Sequence, residues 1–390
     1  MSSQPPTIFL TAAEHSGDAL GAALIEAIKR QQPEAVFVGV GGEKMAAAGC
    51  RLLANPVKRS AMLGQVLSQA AFWRKLLKDI QREIAALKPD VVVPIDSSFI
   101  NLRIATLARS VGVPVCYYVA PQVWASRPWR VKKIKRCVNT LCCILPFEET
   151  YFKRAGVNAI YVGHPMFDAP VDTPETDPAT VEPPLPGLKT PEKSTLRIAV
   201  FPGSRKAEIA SHMPAMLDML SEIRGKFPQA QFVAAAPSDE RAWQIRHCLR
   251  GSHTPVEIRV NKSDAIIRWA DFVLTKSGTA TLQIARHHKP MVVMFAVPWW
   301  QWHLIARFFI NTKFIALVNI LAGRMLVPEF VPFHGSPLPV ARACIELLGN
   351  AGARASMSRD LAALVAPLQP TGGLLAADRV ANEVLKFVQR

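Results

Sequence analysis

Short apolar runs alternate with amphipathic stretches through the first half of the chain. The pattern predicts strands at residues 7–12, 36–40, 90–95 and 113–119, with helices at 19–30, 72–87 and 101–110. Continuously apolar strands separated by helices are typical of a parallel sheet that is covered on both faces. The first half is therefore predicted to form a doubly wound α/β domain.

The composition changes at residues 170–195, where Pro, Asp, Glu and Thr dominate without periodicity, which indicates a linker. The alternation then resumes, with strands predicted at 196–201, 231–235, 256–260, 272–275 and 291–295 and helices at 213–226 and 239–249. We predict an N-terminal domain over 1–169, the linker over 170–195, a second α/β domain over 196–368 and a C-terminal helix over 369–390. Ligands of such folds bind beyond the carboxyl ends of the strands, here in a cleft between the domains.

The chain is basic, with 46 Lys and Arg against 30 Asp and Glu and a formal net charge of +16. Such an excess suits a partner that carries phosphate, although solubility alone explains it equally well. The seven cysteines form no CxxC pair or Cys/His cluster, so we expect a reducing compartment and no metal site. The start of the chain lacks the basic segment of a signal peptide, and residues 290–306 are too interrupted for a membrane span.

Two apolar segments flanked by basic residues predict contact with a membrane surface. The first contains Met62, Leu63, Val66, Leu67 and Trp73. The second contains Trp299, Trp300 and Trp302. A buried core helix explains either segment equally well.

Polar residues follow the first predicted strand, where a helix begins. Glu14, Ser16, Gly17 and Asp18 stand at this junction, and a helix start presents N–H donors to an anion or a sugar hydroxyl. Helix capping explains Ser16 or Asp18, but it does not explain Glu14.

Asp96 ends the buried strand at 90–95 and is followed by Ser97 and Ser98. A carboxylate at this position could accept a proton from an attacking hydroxyl as a general base. An N-cap for the next helix is the alternative.

Two turns of small polar residues follow strands of the second domain. Gly203, Ser204 and Arg205 come after the strand at 196–201, with Glu208 three residues later. Ser277, Gly278, Thr279 and Ala280 come after the strand at 272–275. Neither turn is a P-loop, because the GxxxxGK[ST] pattern is absent. Together they predict one nucleotide diphosphate held from two sides.

In this order the motifs resemble the lipid-A-disaccharide synthase family, glycosyltransferases of the GT-B fold. The matching runs are E-x-S-G-D at 14–18, I-D with a later Asn at 95–101, Y-V-x-P-x-V-W-A at 118–125, L-P-F-E at 145–148, V-G-H-P at 162–165, P-G-S-R at 202–205, S-G-T-A-T-L at 277–282 and N-x-L-A-G-R at 319–324. The resemblance extends from the first strand to about Glu329.

The resemblance implies an inverting transfer from UDP-2,3-diacylglucosamine to 2,3-diacylglucosamine 1-phosphate, giving a β-1,6 disaccharide 1-phosphate and UDP. It implies that Asp96 is the base, and we expect no metal or cofactor. It also implies that the protein binds peripherally at the cytoplasmic face of the inner membrane and that it can form a homodimer. The acceptor-binding residues that it implies are Glu14, Ser16, Gly17, Asp18, Asn101 and His164. The UDP-binding residues that it implies are Gly203, Ser204, Arg205, Ser277, Gly278, Thr279, Ala280, Gln283, Asn319 and Arg324.

The chain departs from the family at three of these motifs. Phe99 replaces an aspartate, Gln283 a glutamate, and Ser126 the second tryptophan of W-A-W. Loss of a carboxylate at 99 is expected to lower the pKa of Asp96 relative to the family. The departures keep open a different lipid-linked UDP-sugar transferase and a catalytically weakened binding protein. Nucleic-acid binding is disfavoured, because the basic residues are dispersed and no known nucleic-acid module is present.

Overall fold

The computed structural model describes residues 5–57, 66–168, 195–297, 312–370 and 372–388, and for residues 66–71 it describes only the backbone. The chain divides into two compact units. The first contains residues 1–169 and 368–390, and the second contains residues 170–367. Apart from residue 195, the predicted linker at 170–195 lies outside the described residues.

The first unit is built on a seven-stranded sheet in which every strand pair is parallel. The strand order is β3-β2-β1-β4-β5-β6-β7. The strands are β1 (Thr7–Ala12), β2 (Val36–Val40), β3 (Arg51–Ala54), β4 (Val91–Ile95), β5 (Cys116–Tyr118), β6 (Thr140–Cys143) and β7 (Ala159–Tyr161). The helices are α1 (His15–Gln31), α2 (Glu43–Ala47), α3 (Val66–Leu87), α4 (Ser98–Ser110), α5 (Val131–Cys137) and α6 (Pro146–Arg154).

The second unit is built on a six-stranded parallel sheet in the order β10-β9-β8-β11-β12-β13. The strands are β8 (Arg197–Phe201), β9 (Gln231–Ala236), β10 (Glu257–Val260), β11 (Phe272–Lys276), β12 (Met291–Ala296) and β13 (Glu329–Phe333). The helices are α7 (Lys206–Lys226), α8 (Asp239–Cys248), α9 (Ser263–Trp269), α10 (Ala280–Arg286), α11 (Leu317–Ala322), α12 (Leu338–Gly349) and α13 (Ala351–Val365).

Both sheets confirm the predicted doubly wound α/β class. In each unit the chain builds outward from the first strand to one edge and then crosses to the other side, so the order reverses between β1 and β4 and again between β8 and β11. A ligand crevice forms at such a reversal, beyond the carboxyl ends of the strands. The residues that follow these four strands are therefore the candidates for the functional site.

Several elements differ from the predicted pattern. Helix α7 begins at Lys206 rather than 213 and runs through Pro214, which by itself signals a break. Strands β5, β6 and β7 have only three or four residues, too few for a clear period. Among the described residues, no helix is both long and apolar enough to cross a membrane.

The last helix, α14 (Ala376–Val388), packs in the first unit although it follows the second unit in sequence. Its Val380, Val384 and Leu385 are buried in the same apolar cluster as Leu24 and Ile28 of α1. Polar contacts at the rim add to this, since Gln31 Nε2 donates to Asn382 Oδ1 at 2.9 Å. Nothing in the local pattern of the sequence indicated this docking.

Removal of side-chain volume from this contact is expected to destabilise the first unit. Leu385→Ala should lower the free energy of unfolding by about 2–5 kcal/mol, because the leucine is only 4% exposed and its cavity would stay empty. Urea unfolding of the full chain measures the change. Lys386→Ala, at an exposed position of the same helix whose ion pair with Glu383 stays within that helix, is the control. Equal effects of the two substitutions would show that α14 does not pack as described.

Candidate active site

The carboxyl end of β4 carries a strained turn. Asp96 and Ser97 both have left-handed backbones, with φ of 53° and 41°, and Val119 at the end of the neighbouring β5 has φ of 68°. Such conformations cost about 1–3 kcal/mol for residues other than glycine, and most of all for a β-branched one. Three of them at adjacent strand ends make this edge of the sheet a candidate functional site.

The turn is held through its backbone. Asn101 Nδ2 donates to the carbonyl oxygens of Ile95 at 2.7 Å and Asp96 at 2.9 Å, and Tyr117 Oη donates to Asp96 O at 2.7 Å. Asn101 Oδ1 in turn accepts from Thr11 Oγ1 at 2.9 Å. Asn101 is buried and its side chain is engaged in these bonds, so in the structure it positions the Asp96 turn, and its predicted contact with the acceptor stays a prediction.

Asp96 is half-buried at the strand end and keeps its carboxylate out of these bonds to the turn. Burial raises its pKa above the ordinary carboxyl value, although a hydrogen bond from the Ser97 backbone acts in the opposite direction. The absence of a carboxylate at Phe99 is expected to lower the pKa of Asp96 relative to other members of the family. Within this chain, burial has the largest effect on that pKa and raises it. Helix α4 begins at Ser98 with Ser97 at the N-cap, so Asp96 is not the cap.

Ser97 adds an unsatisfied group to the turn. Its Oγ is buried and has no hydrogen-bond partner within the described ranges. An unpaired hydroxyl in this strained turn, next to Asp96, can form a hydrogen bond with a ligand. The sequence analysis did not select Ser97, although its place directly after Asp96 was the signal for it.

The E-x-S-G-D run lies at the start of α1, beside the end of β4. Glu14 occupies the N-cap position and is exposed, as is Ser16 in the first turn. A Cβ at Gly17 would lie 3.3 Å from Ala12 Cβ and 3.5 Å from Ile95 O, so glycine lets the helix approach the strand end. Two of the predicted acceptor-binding side chains therefore reach the surface here.

The carboxylate of Asp18 is engaged inside the protein. It is buried and accepts hydrogen bonds from the backbone N–H groups of Gly42 at 2.7 Å, Lys44 at 3.1 Å and Met45 at 3.1 Å. These are the N–H groups at the start of α2, which lack partners inside the helix. Asp18 therefore fixes α2 against α1, and its predicted contact with the acceptor stays a prediction.

His164, in the V-G-H-P run after β7, is buried. Its Nδ1 accepts from Met166 N at 3.2 Å, and burial lowers the pKa of the ring to about 4. The ring is therefore neutral at pH 7, and its proton lies on Nε2, where it is a donor.

The Trp124 and Glu148 motifs meet inside the first unit. Trp124 Nε1 donates to Glu148 Oε1 at 2.9 Å, and Leu145 N donates to Oε2 at 3.1 Å. Glu148 has no exposed surface, and burial raises its pKa to about 7 against these two hydrogen bonds. The pair fastens the loop that follows β5 to the start of α6.

In the second unit, the two predicted turns line one cavity of about 200 Å³. Its walls include Gly203 and Ser204 from the first turn and Thr279, Ala280 and Gln283 from the second. Ser263 and Lys276, which the sequence analysis missed, also line it. Lys276 directly precedes Ser277 at the end of β11, and its cationic side chain was the available signal. The cavity brings both halves of the predicted nucleotide site together at the carboxyl ends of β8 and β11.

The first of the two predicted turns, at residues 203–205, already binds a carboxylate of the protein. Glu208 Oε2 accepts from Ser204 N at 2.9 Å and Arg205 N at 3.2 Å, while Oε1 accepts from Lys276 Nζ at 3.0 Å. A Cβ at Gly203, where φ is +121°, would lie 2.6 Å from Glu208 Oε2. Burial opposes ionisation of Glu208, but the Lys276 hydrogen bond and the backbone donors hold its pKa below the ordinary value. The Ser204 and Arg205 amides therefore bind Glu208 in the structure, and the predicted contact of this turn with a diphosphate stays a prediction.

The remaining predicted UDP residues fall into two groups. Arg205 has an exposed guanidinium 3.4 Å from Glu208, and Arg324 is exposed and pairs with Asp360 at 3.0 Å. Ser277 is buried and donates to Ile315 O at 3.3 Å, away from the cavity lining. Gly278 directly follows Ser277 in the turn after β11.

Asn319 is also used within the protein. Its Nδ2 donates to Val327 O and Glu329 Oε2, and its Oδ1 accepts from the backbone N–H groups of Leu326 and Val327, each within 2.8–2.9 Å. The side chain has no exposed surface. In the structure Asn319 shapes the N-x-L-A-G-R turn, and its predicted contact with UDP stays a prediction.

Gln283 places its amide beside a carboxylate. Nε2 donates to Asp264 Oδ1 at 3.2 Å, and His287 Nε2 lies 2.9 Å from the same oxygen. The hydrogen bond with His287 lowers the pKa of Asp264. Burial acts in the opposite direction, and the hydrogen bond from Gln283 lowers the pKa further. Gln283 thus lies at the cavity wall with its orientation fixed by Asp264.

The predicted membrane contacts lie mostly outside the part of the chain that the structure describes. Residues Met62, Leu63, Trp299, Trp300 and Trp302 are in undescribed segments, and Val66 and Leu67 are described only as backbone of α3. Trp73 is half-buried and packs edge-to-face on Phe72 at 5.3 Å. Within the described ranges, no group of three or more His, Cys, Asp or Glu side chains is arranged to hold a metal ion.

Comparison with known proteins identifies relatives across almost the whole chain. The family model described as lipid-A-disaccharide synthetase matches residues 8–369. A lipid-A-disaccharide synthase of Myxococcus xanthus is 34% identical over 390 residues, which cover 98% of each chain.

The fold has solved counterparts. A Staphylococcus aureus MnaA–UDP structure has a TM-score of 0.64 at 13% identity, with 99% of this chain and 97% of that chain covered. The calicheamicin glycosyltransferase CalG4 has a TM-score of 0.58 at 14% identity, with 100% and 99% covered. At these identities the two structures support the fold alone, and they confirm the predicted GT-B class.

Protonation of buried Glu148 is expected to make stability depend on pH. Its folded pKa of about 7 exceeds the ordinary 4.5, so the folded protein binds the extra proton between these values. The free energy of unfolding of the wild type relative to Glu148→Gln should therefore fall as pH rises from 4.5 to 7, by roughly 3 kcal/mol, and level off above 7. Urea unfolding at several pH values measures the difference.

Glu149→Gln is the matched control, since it removes one negative charge from the same helix at a residue that pairs with Lys153. A wild-type minus Glu148→Gln difference that stays constant from pH 4.5 to 8 would contradict the raised pKa.

Proposed function

The chain belongs to the lipid-A-disaccharide synthetase family, and we propose on that basis that it joins UDP-2,3-diacylglucosamine to 2,3-diacylglucosamine 1-phosphate. The products are a β-1,6-linked disaccharide 1-phosphate and UDP. The observation that carries the proposal is the strained, partly buried Asp96 at the end of β4, held by Asn101 and Tyr117 with its carboxylate available. A second transferase activity is not favoured by any contact described above.

The reaction is a single displacement at the anomeric carbon of the UDP-sugar. The acceptor 6-hydroxyl oxygen forms the new bond to that carbon as the bond to the diphosphate oxygen breaks, which inverts the centre. Asp96 takes the hydroxyl proton, and UDP leaves as the anion. The raised pKa of Asp96, which results from burial, makes its carboxylate a stronger base than that of an exposed aspartate.

The cavity between the β8 and β11 turns is the proposed UDP site. Lys276 supplies a cation that lines it, and Arg205, in the turn beside Ser204, supplies an exposed guanidinium. Glu208 pairs with Lys276 in the structure, and we propose that phosphate oxygens take over part of this contact when UDP binds. Thr279 and Ala280 line the opposite wall with the hydroxyl and backbone donors of the α10 start.

Three residues of the family motifs support the site without touching substrate in this proposal. Asn101 holds the Asp96 turn, Asp18 holds α2, and Asn319 holds the turn after α11. Glu14, Ser16 and the Nε2–H of His164 remain proposed acceptor contacts. Glu14 and Ser16 are exposed polar groups at the start of α1, and His164 is a neutral donor.

The acylated substrates require access to a lipid surface. We propose peripheral binding at the cytoplasmic face of the inner membrane, with the segments around Met62 and Trp299 as contacts. A homodimer remains part of the proposal. Cross-linking and vesicle sedimentation of the full chain test these two points separately.

Asp96→Asn is expected to lower kcat by about 100- to 10,000-fold with little change in KM, because the amide keeps the shape but cannot accept the proton. The measurement is disaccharide formation from the two diacylated substrates in detergent micelles, with EDTA present and, separately, with added Mg²⁺. In the wild type, kcat/KM should fall as pH decreases through a pKa above the ordinary 3.8.

Asp79→Asn, a substitution of an exposed aspartate on α3, is the control and should leave turnover unchanged. A well-folded wild type that forms no disaccharide under any of these conditions would exclude the proposed reaction and leave the weakened-relative reading suggested by Phe99, Ser126 and Gln283. Full turnover by Asp96→Asn would exclude Asp96 as the base.

Lys276→Met is expected to weaken UDP binding by roughly 10- to 100-fold, since a charge-assisted hydrogen bond contributes about 1.5–3 kcal/mol. Isothermal titration of the full chain with UDP measures the affinity. Lys226→Met, at an exposed lysine of the same unit, controls for the loss of net charge. Equal affinities of the two variants would exclude Lys276 from the UDP site.

A further inference from the structure

The positive charge of the chain is concentrated in one stretch of the first unit. Between Asp96 and Glu148 the sequence contains eight Arg and Lys residues and no Asp or Glu. The formal net charge of the whole chain is +16, so this stretch carries half of it. The earlier expectation that the basic residues are dispersed is therefore wrong for this part of the chain.

The fold gathers these cations on two packed elements, α4 and the segment from Arg127 to the end of α5. Burial raises the pKa of the Cys137 thiol, while the charges of Lys133 and Arg109 and a hydrogen bond from Thr106 act against it. Helix α4 packs against α5, so the cations of the two helices lie in one region of the first unit. Arg109, Arg127, Lys132, Lys135 and Arg136 are exposed.

These cations lack acidic partners within the described ranges. None of the ion pairs there involves Arg109, Arg127 or the three exposed cations of α5. Arg136 uses its Nε only to donate to the Lys132 carbonyl oxygen at 3.2 Å. A solvated face of mixed charges usually holds acidic side chains among the basic ones, and the stretch between Asp96 and Glu148 supplies none.

Two large aromatic side chains are exposed among the cations. Phe99 at the start of α4 is 59% exposed and Trp129, in the short 3₁₀ turn before α5, is 58% exposed. The Arg103 guanidinium lies 4.7 Å from the centre of the Phe99 ring. Exposed aromatics interleaved with cations are typical of surfaces that enter the headgroup layer of a membrane.

This surface borders the strained turn. Phe99 is three residues from Asp96 on the helix that begins there, and the charge of Arg130 acts on the Tyr117 hydroxyl, which donates to Asp96 O. A lipid layer in contact with this surface would therefore lie beside the carboxyl edge of the first sheet.

We propose that Phe99, Arg103, Trp129, Lys132, Lys135 and Arg136, the basic aromatic surface, bind the anionic phospholipid headgroups of a membrane. This surface is separate from the apolar segments around Met62 and Trp299. Its cations attract phosphate groups, and its two rings enter the interfacial layer. The inference rests on the peripheral membrane binding proposed above and assigns a surface of described residues to it. Because membrane binding needs no turnover, the assignment can fail while the proposed reaction holds.

The test is sedimentation of the full chain with vesicles of phosphatidylcholine containing phosphatidylglycerol, and with pure phosphatidylcholine vesicles. The variant Lys132→Gln/Lys135→Gln/Arg136→Gln should bind the anionic vesicles at least tenfold more weakly at low salt, because each cation near such a surface contributes about fivefold. The difference should shrink as salt is raised. Trp129→Ala should weaken the binding that persists at high salt.

The matched control is Lys226→Gln/Arg246→Gln/Arg250→Gln, which removes the same charge from exposed positions of the second unit. Equal loss of vesicle binding in both triple variants would overturn the proposal, since net charge alone would then account for it. Binding of wild type to single-stranded RNA that exceeds its binding to the anionic vesicles, and is lost in the first triple variant, would also overturn it. Thermal unfolding and turnover of detergent-dispersed substrates check that the first triple variant is folded.

Discussion

The carboxyl end of β4 is a backbone turn that would not persist without its hydrogen bonds. Two consecutive left-handed residues are held there because Asn101 and Tyr117 donate to the carbonyl of Asp96, and Asn101 is itself fixed by Thr11 on β1. The strain is confined to the backbone, and the carboxylate is left free of it. Burial of the turn then sets the basicity of Asp96. The proposed chemistry of the first unit depends on this arrangement.

The second unit uses a balanced pair of charges in place of strain. Glu208 bridges the backbone of the β8 turn and the Lys276 ammonium at the end of β11, so two strand ends are joined across one cavity. This contact satisfies both the amides and the cation. A diphosphate also offers anionic oxygens, so the pair is compatible with the proposed binding and release of UDP.

The long buried strands could be predicted from the sequence alone, because β1 and β2 are continuous apolar runs with the same bounds in the structure. Shorter strands such as β5 could not, since three residues do not define a period. The order of the motifs indicated the family and the positions of Asp96 and the two turns. The partners of Asp18, Asn101, Asn319 and Glu208 could not be predicted, because they depend on backbone groups that only the tertiary fold brings close.

The charge distribution, too, could be predicted in part from the sequence and depends in part on the tertiary fold. Eight cations without an acid between Asp96 and Glu148 are visible in the sequence, yet their meaning depends on the packing of α4 against α5 and on the exposure of Phe99 and Trp129. Composition alone left solubility as an equal explanation. Placement beside the Asp96 turn gives the charge a location relative to the proposed chemistry.

The central claim is that the chain joins two acylated glucosamine units by inversion. The most direct measurement is the linkage of the product that forms from UDP-2,3-diacylglucosamine and 2,3-diacylglucosamine 1-phosphate, determined by nuclear magnetic resonance of the isolated lipid. We predict a β-1,6 disaccharide that retains its 1-phosphate, with one UDP released for each. An α linkage, a different ring position, or UDP release without disaccharide would contradict the claim.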